Sequence, residues 1–232
     1  MCLAVICLLV PTTVSFASSV FGGAVLVVQH FYVVVYRGGK NENRLQVALA
    51  IPIFLILSEL VHEGVEVLTP RTYDDWLMRW DFGVERAVRS WSSGVPWVWY
   101  PTTWCYYCLP LAVLLFMVFT RGVFYRRLLW GLLLAGLLAV PCYLLFPAVG
   151  PVHMGDRHAP RNCMPSLHLT WALLLWVNSR GWIRWAALAF ALIIALATLV
   201  TGEHYFLDLV MALPFTWGVA VLSRRIADRK ER

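Results

Sequence analysis

The chain has 232 residues, of which 60% are hydrophobic and 14% charged, and its mean hydropathy is +0.70. Soluble domains carry roughly 45–50% apolar residues, so a water-soluble fold would leave large apolar patches exposed, and intrinsic disorder needs the opposite composition. The formal charge of +6 does not indicate nucleic acid, because 13 of the 19 Lys and Arg residues fall in four short segments between or after apolar runs. That is the pattern of cytoplasmic loops rather than of a nucleic-acid groove.

At about 20 residues per span, the apolar length allows six or seven membrane helices. Residues 1–17 end like a signal segment at Ser15-Phe16-Ala17 but lack a basic start, so cleavage is not expected. One span is expected at 14–36, with residues 1–13 unassigned. Further spans are expected at 45–62, 101–120, 128–149, 165–179, 182–201 and 205–222. The segment 165–179 is short for a span, so its N-terminal end must stop below the membrane surface or lie in a polar cavity. Between the second and third spans, Tyr73, Trp76, Leu77, Trp80, Val84, Ala87, Val88 and Trp91 recur at helical spacing. The charged residues from Asp74 to Arg89 fill the other face. This predicts one amphipathic helix over 73–91 at headgroup level, within an aromatic belt. The organisation expected is all-α: a transmembrane segment and basic loop at 1–44, a membrane core at 45–222, and a basic tail at 223–232.

Placing the basic segments 37–44, 121–127, 180–184 and 223–232 in the cytoplasm puts 63–100 and 150–163 on the other side. The C-terminus is then cytoplasmic. The starts of 165–179 and 205–222 face the extracytoplasmic side at similar depth.

Ionisable groups at that depth are costly and mark function. The first cluster is Arg161-Asn162-Cys163-Met164-Pro165-Ser166-Leu167-His168, running into a helix. Pro165 suits a first helical turn, where unpaired N–H groups and the helix dipole favour an anion. Ser166 adds a hydroxyl, Arg161 a guanidinium matched to phosphate oxygens, and His168 a proton donor and acceptor near neutral pH. The second cluster is His204-Tyr205-Phe206-Leu207-Asp208. On a helix, His204 and Asp208 would share a face, and a carboxylate on one ring nitrogen makes the other a nucleophile.

The segments MPSLH at 164–168 and HYFLD at 204–208 resemble the second and third signature motifs of the type 2 phosphatidic acid phosphatase superfamily. LFPAVGP at 145–151, with RNCMPSLH and TGEHYFLD, is similar to the inositol phosphorylceramide synthase-like branch. The resemblance implies a six-helix core without metal or other cofactor. His204 would form a phosphohistidine, oriented by Asp208. His168 would protonate the leaving alcohol and then activate water or an acceptor hydroxyl, while Ser166 would hold a phosphate oxygen. The superfamily's first motif is absent, since no Arg-Pro occurs, and Ala197-Thr198 stands where a Ser-Arg pair is expected. Arg161, with Arg157, is the expected substitute for those cations.

Weaker signals stand beside these. His153, Asp156, His158 and Cys163 match no firm metal-ligand spacing, and Cys105 and Cys108 lack a redox context. Glu59, His62, Glu63 and Glu66 form a stripe at the end of the 45–62 span, and Glu203 adjoins the expected nucleophile. The reading is a membrane phosphoesterase or phosphotransferase acting on a phospholipid, sphingolipid or polyprenyl phosphate in the bilayer. Headgroup transfer of the inositol phosphorylceramide synthase type stands beside plain hydrolysis of phosphatidic acid or polyprenyl phosphate. A proton-coupled lipid transporter is the alternative of another class. No nucleic-acid partner is expected, and the sequence assigns no oligomeric state.

Overall fold

The computed structural model describes residues 65, 68–69, 71–120, 122–156 and 159–229. The chain divides into two compact units, Met1–Ile56 and Leu57–Arg232, and every described residue lies in the second. The expected spans at 14–36 and 45–62, the loop 37–44, the stripe from Glu59 to Glu66, and Arg121, Arg157, His158, Lys230 and Arg232 lie outside the described residues.

The described chain is helical throughout: α1 (Asp74–Trp80), α2 (Val84–Ser93), α3 (Pro96–Tyr107), α4 (Leu109–Phe119), α5 (Val123–Leu145), a 3-10 turn (Pro151–His153), α6 (Leu167–Val177), α7 (Gly181–Thr201) and α8 (Phe206–Arg229). No strand occurs among these residues. Among the described residues, three helices are long and apolar enough to cross a membrane, over Val123–Leu145, Gly181–Thr201 and Phe206–Asp228. The all-α membrane-bundle class expected from the sequence is thus what the chain forms.

Helix α6 is apolar but only 11 residues long. It packs against α4, α5, α7 and α8. A helix enclosed by its neighbours need not match the bilayer thickness, which explains how so short a segment fits. Between apolar helices in lipid, association depends on close packing rather than on transfer out of water. Small residues accordingly share in the contacts. Ala135 and Ala139 of α5, Ala187, Ala191 and Ala197 of α7, and Ala212 of α8 are all at most 1% exposed. Gly131 of α5 lies so near Leu174 of α6 that an added Cβ would sit 3.3 Å from Leu174 Cδ2.

One end of the bundle is tied by cations. Arg127 at the start of α5 makes a bidentate pair with Asp228 near the end of α8, at 3.0 and 2.7 Å. Arg180, between α6 and α7, stacks its guanidinium 4.0 Å from the Phe124 ring centroid. The opposite end gathers the end of α5, the start of α6, the end of α7 and the start of α8, and with them both histidine motifs.

Two expected helices are each divided. The amphipathic segment 73–91 breaks after Trp80, where Phe82 and Gly83 take φ of 51° and 74°. The cause is Asp81, whose carboxylate accepts Glu85 N–H at 2.9 Å and also the N–H of Phe206, so one side chain serves the starts of both α2 and α8. The expected orientation is also reversed for the acids. Asp74, Asp81 and Glu85 are buried, while Trp76, Trp80 and Trp91 are 44%, 53% and 54% exposed. Burial is tolerated because backbone N–H groups meet the carboxylates of Asp74 and Asp81, and Arg89 pairs with that of Glu85, while the indoles suit a bilayer boundary. The expected span 101–120 is two helices meeting at Cys108, since Pro110 has no N–H to continue the ladder. Helix α8 instead runs on past residue 222, through Arg224 and Arg225 to Arg229.

Candidate active site

Helix α6 begins on Ser166, whose extended backbone and side-chain oxygen cap it: Oγ accepts Leu169 N–H at 3.4 Å. Pro165 precedes the cap and so does not occupy the first turn as expected. The Ser166 N–H donates to the Asp208 backbone carbonyl at 3.3 Å. That bond ties the start of α6 to the first turn of α8 and brings the two motifs together. Within α8, Asp208 reaches back so that Oδ2 accepts Tyr205 N–H at 2.8 Å, which satisfies a donor at the helix start. His204 lies before the helix, so the expected shared helical face does not arise. The turn nevertheless leaves His204 Nδ1 3.5 Å from Asp208 Oδ2.

His204 is 4% exposed and Asp208 fully buried. The nearest group to His204 Nδ1 is the Cys163 carbonyl, at 2.9 Å. A carbonyl only accepts, so Nδ1 donates to it, and in the neutral imidazole the lone pair is then on Nε2. The Asp208 carboxylate stands second to that bond. Its Oδ2 accepts the Cys163 thiol at 2.7 Å, and its Oδ1 is buried without a hydrogen-bond partner among the described residues. Burial, and then the adjacent Asp208 carboxylate, push the Cys163 thiol well above its ordinary pKa. The thiol therefore stays protonated and acts as a donor.

The His168 ring lies 5.8 Å from that of His204, centroid to centroid, and is inclined to it by 66°. Tyr106 of α3 stacks on the other side, with centroids 4.1 Å apart and planes 20° from parallel. Its hydroxyl is 3.3 Å from His168 Nδ1. Sequence reasoning missed Tyr106, which sits in an aromatic run where nothing distinguishes it from Tyr100 or Tyr107. It also missed Cys163 as a neighbour of His204, although the residue stands within the Arg161–His168 cluster.

The surrounding wall is made by segment 147–153 against 202–205. Val152 N–H donates to the Gly202 carbonyl at 2.9 Å, and Cys163 N–H to the Ala148 carbonyl at 3.2 Å. Gly150 has φ of 87°, and a Cβ there would lie 2.3 Å from the Glu203 carbonyl oxygen. The approach is open only to glycine. Asp74 of α1 clamps the wall by accepting Val149 N–H, Gly150 N–H and the Tyr205 hydroxyl, at 3.1, 3.1 and 2.9 Å. Glu203, next to His204 in the chain, lies 3.1 Å from His153 Nε2. Arg161 is buried at 7% exposure. Arg89 of α2, paired with Glu85 at 2.8 Å, packs against Gly202, where its Nη1 would be 3.1 Å from an added Cβ. Burial raises the Glu85 pKa, with Arg89 the largest opposing influence.

Cys163, His204 and Asp208 present sulfur, nitrogen and oxygen atoms within 4.8 Å of one another, a possible ligand set for a metal ion. The protonated thiol and the Nδ1–H bond account for this clustering by hydrogen bonding alone, and coordination would require both protons to leave. Of the loop residues without a firm ligand spacing, His153 turns to Glu203 and Cys163 to Asp208. Among the described residues, Cys105 and Cys108 are not joined in a disulfide.

The family model of the PAP2 superfamily matches residues 75–222, which include both motifs. No curated protein and no solved structure matches the chain.

Proposed function

Because the chain belongs to the PAP2 superfamily, whose function is of the lipid phosphatase type, we propose that His204 attacks the phosphorus of a membrane lipid phosphate. The observation that carries this reading is the convergence of His204 and His168, with ring centroids 5.8 Å apart and Asp208 behind the first. One phosphoryl group can touch both rings at that separation.

In the first step the Nε2 lone pair forms an N–P bond while the ester P–O bond breaks. The departing alkoxide takes its proton from His168. The Cys163 carbonyl holds the reactive tautomer, and the Asp208 carboxylate offsets the positive charge that develops on the imidazole. In the second step His168 removes a proton from water or an acceptor hydroxyl, whose oxygen attacks phosphorus and releases His204. Tyr106 positions His168 by stacking. Ser166 would offer its hydroxyl proton to a phosphate oxygen while remaining the cap of α6. Arg161 would supply positive charge in place of the missing first-motif cations.

Hydrolysis and transfer share the first step and differ only in the acceptor. The segment LFPAVGP, which resembles the synthase-like branch, builds the wall against the nucleophile loop, and this supports headgroup transfer as the sharper form. The basic end of the bundle suits the cytoplasm by the positive-inside pattern, so the histidines would work from the extracytoplasmic leaflet of a multi-pass protein. The substrate would be a phospholipid, sphingolipid or polyprenyl phosphate, with its tail in the bilayer.

The test is purified protein with a panel of those lipid phosphates, with and without added inositol or diacylglycerol. Phosphate release that is lost in His204→Ala supports the phosphatase. Headgroup-exchanged lipid supports the transferase. Absence of both products, with proton-coupled lipid flux retained in His204→Gln, would favour the transporter.

A further inference from the structure

At the end of the bundle away from the histidines, an apolar groove of about 340 Å³ opens between α6, α7 and α8. Leu173 and Trp176 of α6 form one side, and Leu213, Trp217 and Val221 of α8 the other. These positions are spaced three or four apart on each helix, so each helix turns one apolar stripe to the groove. Trp217 is 73% exposed. Two guanidinium groups also line the groove, Arg184 from α7 and Arg224 from α8.

Charge and hydrogen bonding both point to an occupant. Arg184 stacks 5.5 Å from the Trp176 ring centroid, which fixes its cation beside the groove. Asp228, one turn beyond Arg224, is already engaged by Arg127 at 3.0 and 2.7 Å, so positive charge remains in excess here. The Trp176 indole N–H is buried with no acceptor among the described residues. Buried donors normally find partners. An apolar channel between membrane helices, with two cations and an unmet donor, matches the acyl chain and phosphate of an anionic lipid.

We propose that this groove binds one anionic phospholipid of the leaflet opposite the histidine site, with its phosphate between Arg184 and Arg224 and a chain along Trp176 and Trp217. The site is separate from the phosphoryl chemistry. His168 and Trp176 are eight residues apart on α6, roughly 12 Å along the helix axis, and the groove makes no use of either histidine.

The experiment measures lipid retained by the purified full-length protein, by native mass spectrometry after exchange into phosphatidylglycerol or phosphatidylcholine. The expectation is one tightly held phosphatidylglycerol per chain and no comparable phosphatidylcholine. A surface cation near anionic lipid contributes about fivefold, so Arg184→Gln with Arg224→Gln should weaken retention roughly 25-fold. Trp217→Ala should weaken it while leaving the charge intact. Arg225→Gln removes an equal charge from an exposed position outside the groove and should leave retention unchanged, as should His204→Ala. Equal loss in Arg225→Gln, equal retention of phosphatidylcholine, unaltered retention in the double variant, or a second protein chain in place of the lipid would each overturn the proposal.

Discussion

The backbone carbonyl of Cys163 lies 2.9 Å from His204 Nδ1, closer than any carboxylate oxygen, with Asp208 at 3.5 Å. The tautomer that exposes Nε2 is therefore set by the main chain, and in the proposed reaction Asp208 acts through its charge. This division of labour distinguishes the site from a triad in which one carboxylate does both.

Asp208→Asn should accordingly keep the geometry of His204 while losing its electrostatic support. The expected loss is about 100- to 1000-fold in kcat for phosphate release, with KM little changed. An intact phosphatase rate in Asp208→Asn would show that the carboxylate gives the imidazole no support.

Cys163→Ser should be mild, because a hydroxyl replaces the thiol donor to Asp208 and the carbonyl is unaffected. Cys163→Ala removes that donor from a buried carboxylate and should cost about 1–3 kcal/mol of stability, read as a lower Tm. Since burial and then Asp208 raise the thiol pKa, an alkylating reagent at neutral pH should spare Cys163 until the protein is unfolded. Fast labelling of the folded protein at this position would contradict the protonated, enclosed thiol.

Gly150 and Gly155 both have strongly positive φ, 87° and 89°. Gly155→Ala meets nothing within 4 Å and should cost only the conformational penalty, about 1–2 kcal/mol. Gly150→Ala would drive its Cβ to 2.3 Å from the Glu203 carbonyl oxygen, displacing the loop that carries His204. It should be much the less stable of the two in a thermal melt and should also lose activity.

Much of this was legible in the sequence, and the failures share a cause. Helix α5 and helix α7 follow from long apolar runs, whose pattern depends only on the solvent around them. The two motifs were visible because histidines at membrane depth are rare. The inward turn of Asp74, Asp81 and Glu85 was not, because amphipathic spacing marks two faces without saying which meets protein. Their partners, such as Tyr205 and Phe206 for Asp74 and Asp81, lie more than a hundred residues away along the chain. Tyr106 was hidden for the same reason, being defined only by a stacking partner on another helix. The break at Cys108 could have been read from Pro110, a local signal that the apolar run outweighed.

The clamp made by Asp74 gives a further test away from the reacting atoms. Tyr205→Phe removes a hydroxyl donor, 2.9 Å from the carboxylate, and should cost about 1.5–3 kcal/mol. Substrate affinity and rate should change far less than stability. A large fall in kcat without a fall in Tm would instead give the Tyr205 hydroxyl a part in the chemistry.

The most direct measurement is to trap the covalent intermediate with a radiolabelled lipid phosphate, quenching within the first turnover and mapping the label. The account predicts an acid-labile, base-stable phosphoryl group on the peptide containing His204, absent in His204→Ala and accumulating in variants of His168 slowed in the second step. Full phosphate release by His204→Ala, or label confined to another residue, would contradict it.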